Sequence, residues 1–252
     1  MRSPLAAAIL VVLAAGGAFM PAPPTRASGA ADADADVLEF TAHPLHTRQG
    51  VAAAPAPFSL SAAAGPALQI VQFDGPIRQA WLDELKARGI TPVQYVPSNG
   101  YLVWADEAAQ GKLAALRTSA PWLRYASPYY AFLKLDPELD ARVRANATSG
   151  DEIDVTVQVY AHADVAATKQ LVAGKGRVPV AQQAPLGNGT IDARWAPVLK
   201  FENLDLRVRV SDIAAIAERP HVAFVGVQPT RVLLDEKQGL LLSGDMTPGP
   251  AS

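Results

Sequence analysis

One pattern is written twice in this chain, and it narrows the possible folds more than any other feature. Each copy reads as an apolar strand, an amphipathic helix, two strands, a second helix and a closing strand. The first runs from Leu68 to about Tyr125 and the second from Ile153 to about Val227. A unit of roughly 60 to 75 residues is too long for a solenoid repeat and fits the split βαβ arrangement, with two helices on one face of a four-stranded sheet.

In the first copy, Leu68, Ile70, Val71 and Phe73 predict a buried central strand, and Gly75-Pro76 turns the chain. Ile77, Trp81 and Leu85 recur every four positions while Arg78, Asp83, Glu84, Lys86 and Arg88 fill the opposite side. This is an amphipathic helix, closed by Gly89. Val93 and Tyr95 flank Gln94, and Pro97-Ser98-Asn99-Gly100 turns into Tyr101 to Trp104, which predicts a hairpin. Asp106 is placed to cap a helix with Ala109, Leu113 and Leu116 on one face, and Leu123 and Tyr125 open a fourth strand.

In the second copy, Ile153, Val155, Val157 and Val159 alternate with polar residues, the pattern of a strand with one wet face. Val165, Leu171 and Val172 mark a helix that stops near Gly174 and Gly176. The region from Val178 to Phe201 is expected to hold the second strand and an irregular insert around Pro185 to Gly189. Leu204, Leu206, Val208 and Val210 alternate again, Ser211 is placed to cap a short helix with Ile213 and Ile216, and Pro220 precedes a strand over Val222 to Val227. Right-handed crossovers leave few topologies for this order of elements. The expected fold class is therefore α+β: two tandem ferredoxin-like (βαββαβ) domains, each an open antiparallel sheet with helices on one face. The face opposite the helices is where a partner would bind.

The expected divisions are a signal peptide over 1–30, an Ala/Pro-rich leader over 31–66, a first domain over 67–135, a linker over 136–151, a second domain over 152–230 and an extended tail over 231–252. Arg2 and the apolar Leu5 to Ala15 fit an export signal too short to span a bilayer. Secretion to the exterior or the periplasm is expected, with no membrane anchor after cleavage. The leader holds too little apolar area to order itself and is expected to be mostly extended or loosely attached.

A net charge of −2, with Lys and Arg dispersed, argues against a nucleic-acid partner. The absence of cysteine excludes a thiol nucleophile and a disulfide scaffold. Four histidines are present. His43 and His46 lie in the leader without a third ligand at metal spacing, His162 precedes a helix and His221 a strand, and none sits in a motif. Gly174-Lys175-Gly176 follows a helix, so it reads as a helix stop and not as a phosphate loop. The carboxylate pairs Asp83/Glu84, Asp136/Glu138, Asp151/Glu152 and Asp235/Glu236 read as solvated surface, and Asn146-Ala147-Thr148 and Asn188-Gly189-Thr190 as surface loops. No catalytic residue, metal ligand set or cofactor is expected.

Several stretches together resemble the N-terminal pro-region of secreted subtilisin-like serine proteases. They are Gln69-Ile70-Val71-Gln72-Phe73-Asp74-Gly75-Pro76-Ile77, Trp81, Leu85, Gly89, Tyr95 to Val103 and Lys134-Leu135, with Val232 to Gly239 similar to the segment before the catalytic domain. The resemblance spans roughly Leu68 to Asp245. It implies inhibitor I9-like propeptide domains that pack an open sheet face on the protease, lay a tail along its cleft, and act as intramolecular chaperone and inhibitor. The implied partner is a subtilisin-like catalytic domain, in cis or in trans. The cleft-directed stretch is either Tyr125 to Leu135 or Gln228 to Leu242, within which Gln228, Pro229, Thr230, Arg231, Val232, Leu233 and Leu234 are the candidates. The family's Asp-Ser/Thr-Gly, His-Gly-Thr and Gly-Thr-Ser motifs are absent, so no catalytic residue carries over and a detached or truncated pro-region is expected. The alternative is a non-catalytic secreted binding or assembly module.

Overall fold

A computed structural model describes residues 36–61, 63–146, 148, 150–177 and 196–228. The fold is α+β with antiparallel sheets. A short ribbon pairs β1 (Val37–Leu38) with β2 (Leu45–His46). The first large sheet contains β3 (Ala67–Phe73), β4 (Thr91–Val96), β5 (Gly100–Ala105) and β6 (Leu123–Pro128), in the order β4-β5-β3-β6. Helix α1 (Gln79–Ala87) joins β3 to β4, and α2 (Glu107–Ser119) joins β5 to β6.

Local chemistry sets these boundaries. Gly89 has φ of +82°, its N–H reaches the Lys86 carbonyl, and the Ile90 N–H reaches the Leu85 carbonyl. These are the paired bonds of a Schellman stop, and Leu85 and Ile90 supply its buried apolar contact. Asp106 caps α2 by accepting from the Ala109 N–H at 2.7 Å. Val71, Phe73, Val103 and Ala105 form the helix-side core with Leu85, Leu113 and Leu116, and the Phe73, Trp81 and Trp122 rings stack within it.

The second sheet has β7 (Glu152–Tyr160), β10 (Phe201–Arg209) and β11 (Val222–Val227), with β8 (Gly176–Arg177) and β9 (Ala196–Val198) both along the outer edge of β10. Its order is β11-β7-β10-β8. The insert predicted near Pro185 to Gly189 lies outside the described residues. Helix α4 (Ala166–Lys175) turns Thr168 and Val172 inward, and Val165 just before it is buried as well. Ser211 does not cap a helix: it lies inside a 3-10 turn (Val210–Asp212), and α5 (Ile213–Ala217) begins without a side-chain cap.

The structure departs from expectation in further places. The leader is not loosely attached over its described part. Leu38, Leu45 and Phe58 are buried with Leu68, Ile70, Leu102 and Trp104, on the sheet face opposite the helices. Thr47 anchors it by donating to Gln72 Oε1 at 2.6 Å, while Gln72 Nε2 donates to the Ser98 carbonyl, so a buried glutamine is satisfied through the leader. Gly100 is needed here, since a Cβ would stand 2.6 Å from Leu38 Cδ2.

The 136–151 linker contains a helix, α3 (Pro137–Ala145), capped by Asp136 and buried through Leu139 and Val143. Asp136 is thus no solvated surface group. One oxygen caps α3 and the other accepts the Val227 N–H. Asp140 is buried and paired with His43 and Arg144, which gives His43 a structural tie between leader and helix.

The stretch Tyr125 to Leu135 is not a free tail. Tyr129, Phe132, Leu133 and Leu135 are buried in a core continuous with the second sheet. Leu135 bridges to Val225, and the Tyr129 hydroxyl donates to the Ala223 carbonyl at 3.0 Å.

Candidate functional site

The strict alternation on β7 and β10 puts Val155, Val157, Leu204, Leu206 and Val208 against the helices and leaves a polar ladder on the other face. Directly opposite residues on that face are Asp154 and Arg207, Thr156 and Asp205, and Gln158 and Asn203. Arg207 holds Asp154 through two 2.6 Å bonds, Thr156 donates to Asp205 at 2.5 Å, and Gln158 to Asn203 at 3.0 Å. All six are half-buried, so the face is wet but organised.

The ladder continues into a groove of about 210 Å³ between the halves, lined by Phe40, Tyr95, Leu102, Gln158 and Phe224 among others. Tyr95 is 52% exposed there, and its ring meets Tyr101 edge to face. Of the predicted tail residues Gln228, Pro229, Thr230, Arg231, Val232, Leu233 and Leu234, only Gln228 lies within the described residues. Its N–H bonds the Asp154 carbonyl at 2.9 Å and its side-chain amide bonds Asp205 at 3.0 Å. Gln228 thus extends the β11–β7 pairing by one residue and ties its side chain to the polar ladder.

A second constellation escapes the sequence. Where β7 ends and β11 begins, His162, Asp164 and His221 converge, their ligand-type atoms all within 4.8 Å of one another. His162 Nδ1 and His221 Nε2 both meet Asp164 Oδ1, the latter at 2.8 Å. His221 is buried, and its Nδ1 lies 3.0 Å from the Thr168 hydroxyl on α4. Trp104, from β5 of the first sheet, lies over both imidazoles, with ring centroids 4.9 Å from His162 and 4.5 Å from His221.

Burial pushes the His221 imidazole below its ordinary value, against the pull of Asp164. For Asp164, burial is the largest single influence and acts upward, but the bonds from His162 and His221 together outweigh it and hold the carboxyl below its ordinary value. Neutral imidazole beside ionised carboxylate is the resulting state near neutrality. His162 and Asp164, two positions apart, formed the only local signal. His221 joins them because the β11–β7 register brings the start of β11 beside the end of β7.

Residues 25–130 match the family described as Domain of unknown function (DUF8729). Those bounds enclose the described leader together with β3 through β6, the parts that share the buried sheet face. No curated protein and no solved structure matches the chain. Among the described residues, no helix is long and apolar enough to cross a membrane. Residues 1–30, expected to be a signal peptide, lie outside the described residues.

Proposed function

We propose that this chain is a secreted protein-binding module of the subtilase pro-region type, a chaperone and inhibitor of a subtilisin-like serine protease, and not itself an enzyme. The two strand orders, β4-β5-β3-β6 and β11-β7-β10-β8, support reading both halves as the split βαβ, ferredoxin-like plan. The observation that carries the functional reading is the second sheet. It has one face packed by helices and one wet face, and Gln228, the residue that follows its edge strand, bonds Asp154 and Asp205 on the two neighbouring strands. An open face supplies shape while a departing strand can pair its backbone with a partner's cleft.

The first sheet cannot dock in this way, because the leader and the segment after β6 already occupy its second face. The second unit is therefore the docking unit in this reading. The test is to mix the purified chain with a subtilisin-like protease and follow peptide hydrolysis, then repeat with the chain truncated after Gln228 and with Gln158→Ala/Asp205→Ala. Dose-dependent slowing that the truncation abolishes supports the reading. No slowing at about micromolar concentration, where a specific interface of ordinary size would bind, overturns it. Binding that survives truncation but not the ladder substitutions points to a face-binding assembly module instead.

A further inference from the structure

The geometry points to a transition-metal site of the zinc class at the seam between the halves, with His162 Nδ1, Asp164 Oδ1 and His221 Nε2 as ligands. Two imidazole nitrogens and one carboxylate oxygen suit Zn²⁺ or Co²⁺, and disfavour Ca²⁺ and Mg²⁺, which take oxygen donors. Both nitrogens already converge on one carboxylate oxygen, and the three donor atoms lie within 4.8 Å of one another, so a small swing of Asp164 admits an ion among them. His221 is held in place: it is buried, and Thr168 engages the ring nitrogen that faces away from Asp164. That is the outer-shell contact by which metal-binding imidazoles are oriented. The other two donors have freedom to open around an ion, the side chains of His162 and Asp164 being 37% and 46% exposed. Their exposed side leaves a further coordination position open to water.

The consequence lies in where the ligands come from. His162 and Asp164 follow β7, His221 precedes β11, and the Trp104 ring that roofs them belongs to the other half. An ion here ties the two strand ends of the second sheet together under a side chain of the first. Metal occupancy thus fixes the two imidazoles on which Trp104 packs. This inference does not depend on the protease reading, since neither the polar ladder nor the tail takes part.

The experiment uses the full chain, tag-free and stripped with a chelator, titrated with Zn²⁺ by calorimetry and with Co²⁺ by visible absorption. One equivalent is expected to bind with the intense d–d bands of a four- or five-coordinate N/O site, and Co²⁺ is expected to quench tryptophan emission. The quenching should largely vanish in Trp104→Phe. His162→Ala and Asp164→Asn alter exposed groups and should each weaken binding roughly tenfold or more, while Thr168→Val should weaken it less. His43→Ala and His46→Ala should leave it unchanged. Circular dichroism confirms that the variants are folded, which the buried His221 does not guarantee for its own replacement. Absence of one-equivalent binding below about 100 µM, or binding unchanged in both His162→Ala and Asp164→Asn, overturns the site. So does binding that is lost in His43→Ala.

Discussion

On the central strand of the first sheet, Ile70 points away from the helices and is fully buried; on the central strand of the second, Thr156 points away from the helices and stays half-exposed. The opposing residues diverge in the same way, Leu102 across from Ile70 and Asp205 across from Thr156. One pattern of elements has therefore been finished in two ways. Topology decides which face the helices leave bare, but the neighbouring chain decides whether that face becomes core or surface. In the first half, the leader and the segment after β6 arrive on it. In the second, the bare face is lined by hydrogen-bonded polar pairs.

The most severe way to break this comparison is to remove residues 36–61. The Leu68, Ile70 and Leu102 face would then lose Leu38, Leu45 and Phe58, and Gln72 would lose its partner Thr47. Burying an apolar side chain is worth about 1.5 to 3 kcal/mol, so loss of three of them approaches the whole stability of a small domain. The expected outcome is a first half without a cooperative urea transition by tryptophan fluorescence, together with strong dye binding. An unchanged midpoint would mean that the leader merely rests on a face stable without it.

Ile70→Thr tests the same face more gently. It shortens a fully buried side chain and leaves a hydroxyl among apolar neighbours, at an expected cost of about 2 to 3 kcal/mol in urea unfolding. A cost below about 0.5 kcal/mol would show that the face tolerates polarity as its counterpart does.

What the sequence made legible was whatever depends on near neighbours. The period-two alternation of β7 and β10, the Asp106 cap and the Gly89 stop each rest on a few adjacent residues, and each is present in the structure. Helix α3 carried the same kind of signal, Asp136 before Pro137, acidic residues in the first turn and arginines in the last, which was within reach of capping rules. The leader was not legible, because Leu38, Leu45 and Phe58 are isolated apolar residues in an Ala- and Pro-rich tract. Only the sheet face they meet gives them a core. The His162, Asp164 and His221 cluster was hidden for a related reason: strand register assembles it, and composition gives no hint of register.

At the seam, Lys134 is buried and donates to the Ala217 and Arg219 carbonyls near the end of α5. Burial depresses its ammonium from 10.5 to about 7, with Glu218 pulling the other way. The unfolded chain keeps that proton until about pH 10.4, whereas the folded chain releases it near 7. Between those values the unfolded state binds more protons, so this group makes stability rise with pH, by up to about 1.4 kcal/mol per pH unit. Lys134→Met should remove that rise, read as a stability difference from wild type that changes between pH 7 and 9. A constant difference would mean that the two carbonyls keep the ammonium charged despite its burial.

Asp136→Ala acts on the other tie between the halves. It removes the cap of α3 and strands the Val227 N–H at once, for an expected loss of about 1 to 2 kcal/mol. Hydrogen exchange at Val227 distinguishes the two roles. Faster exchange there, beyond the global change, locates the damage at β11; a purely global change would confine Asp136 to helix capping.

The smallest expected effect comes from making the second sheet resemble the first. Thr156→Ile gives up one hydrogen bond to Asp205 and places an apolar side chain on a half-exposed face, so stability should move by less than about 1 kcal/mol in either direction. The substitution also enlarges the apolar area on a face that is half-exposed and lined by polar pairs. If the wet face is a docking surface, the change should alter partner binding far more than folding, because the six polar groups there define the shape and charge a partner must match. A large stability loss with unchanged binding would reverse that assignment: the ladder would then hold the second sheet together, much as the leader holds the first.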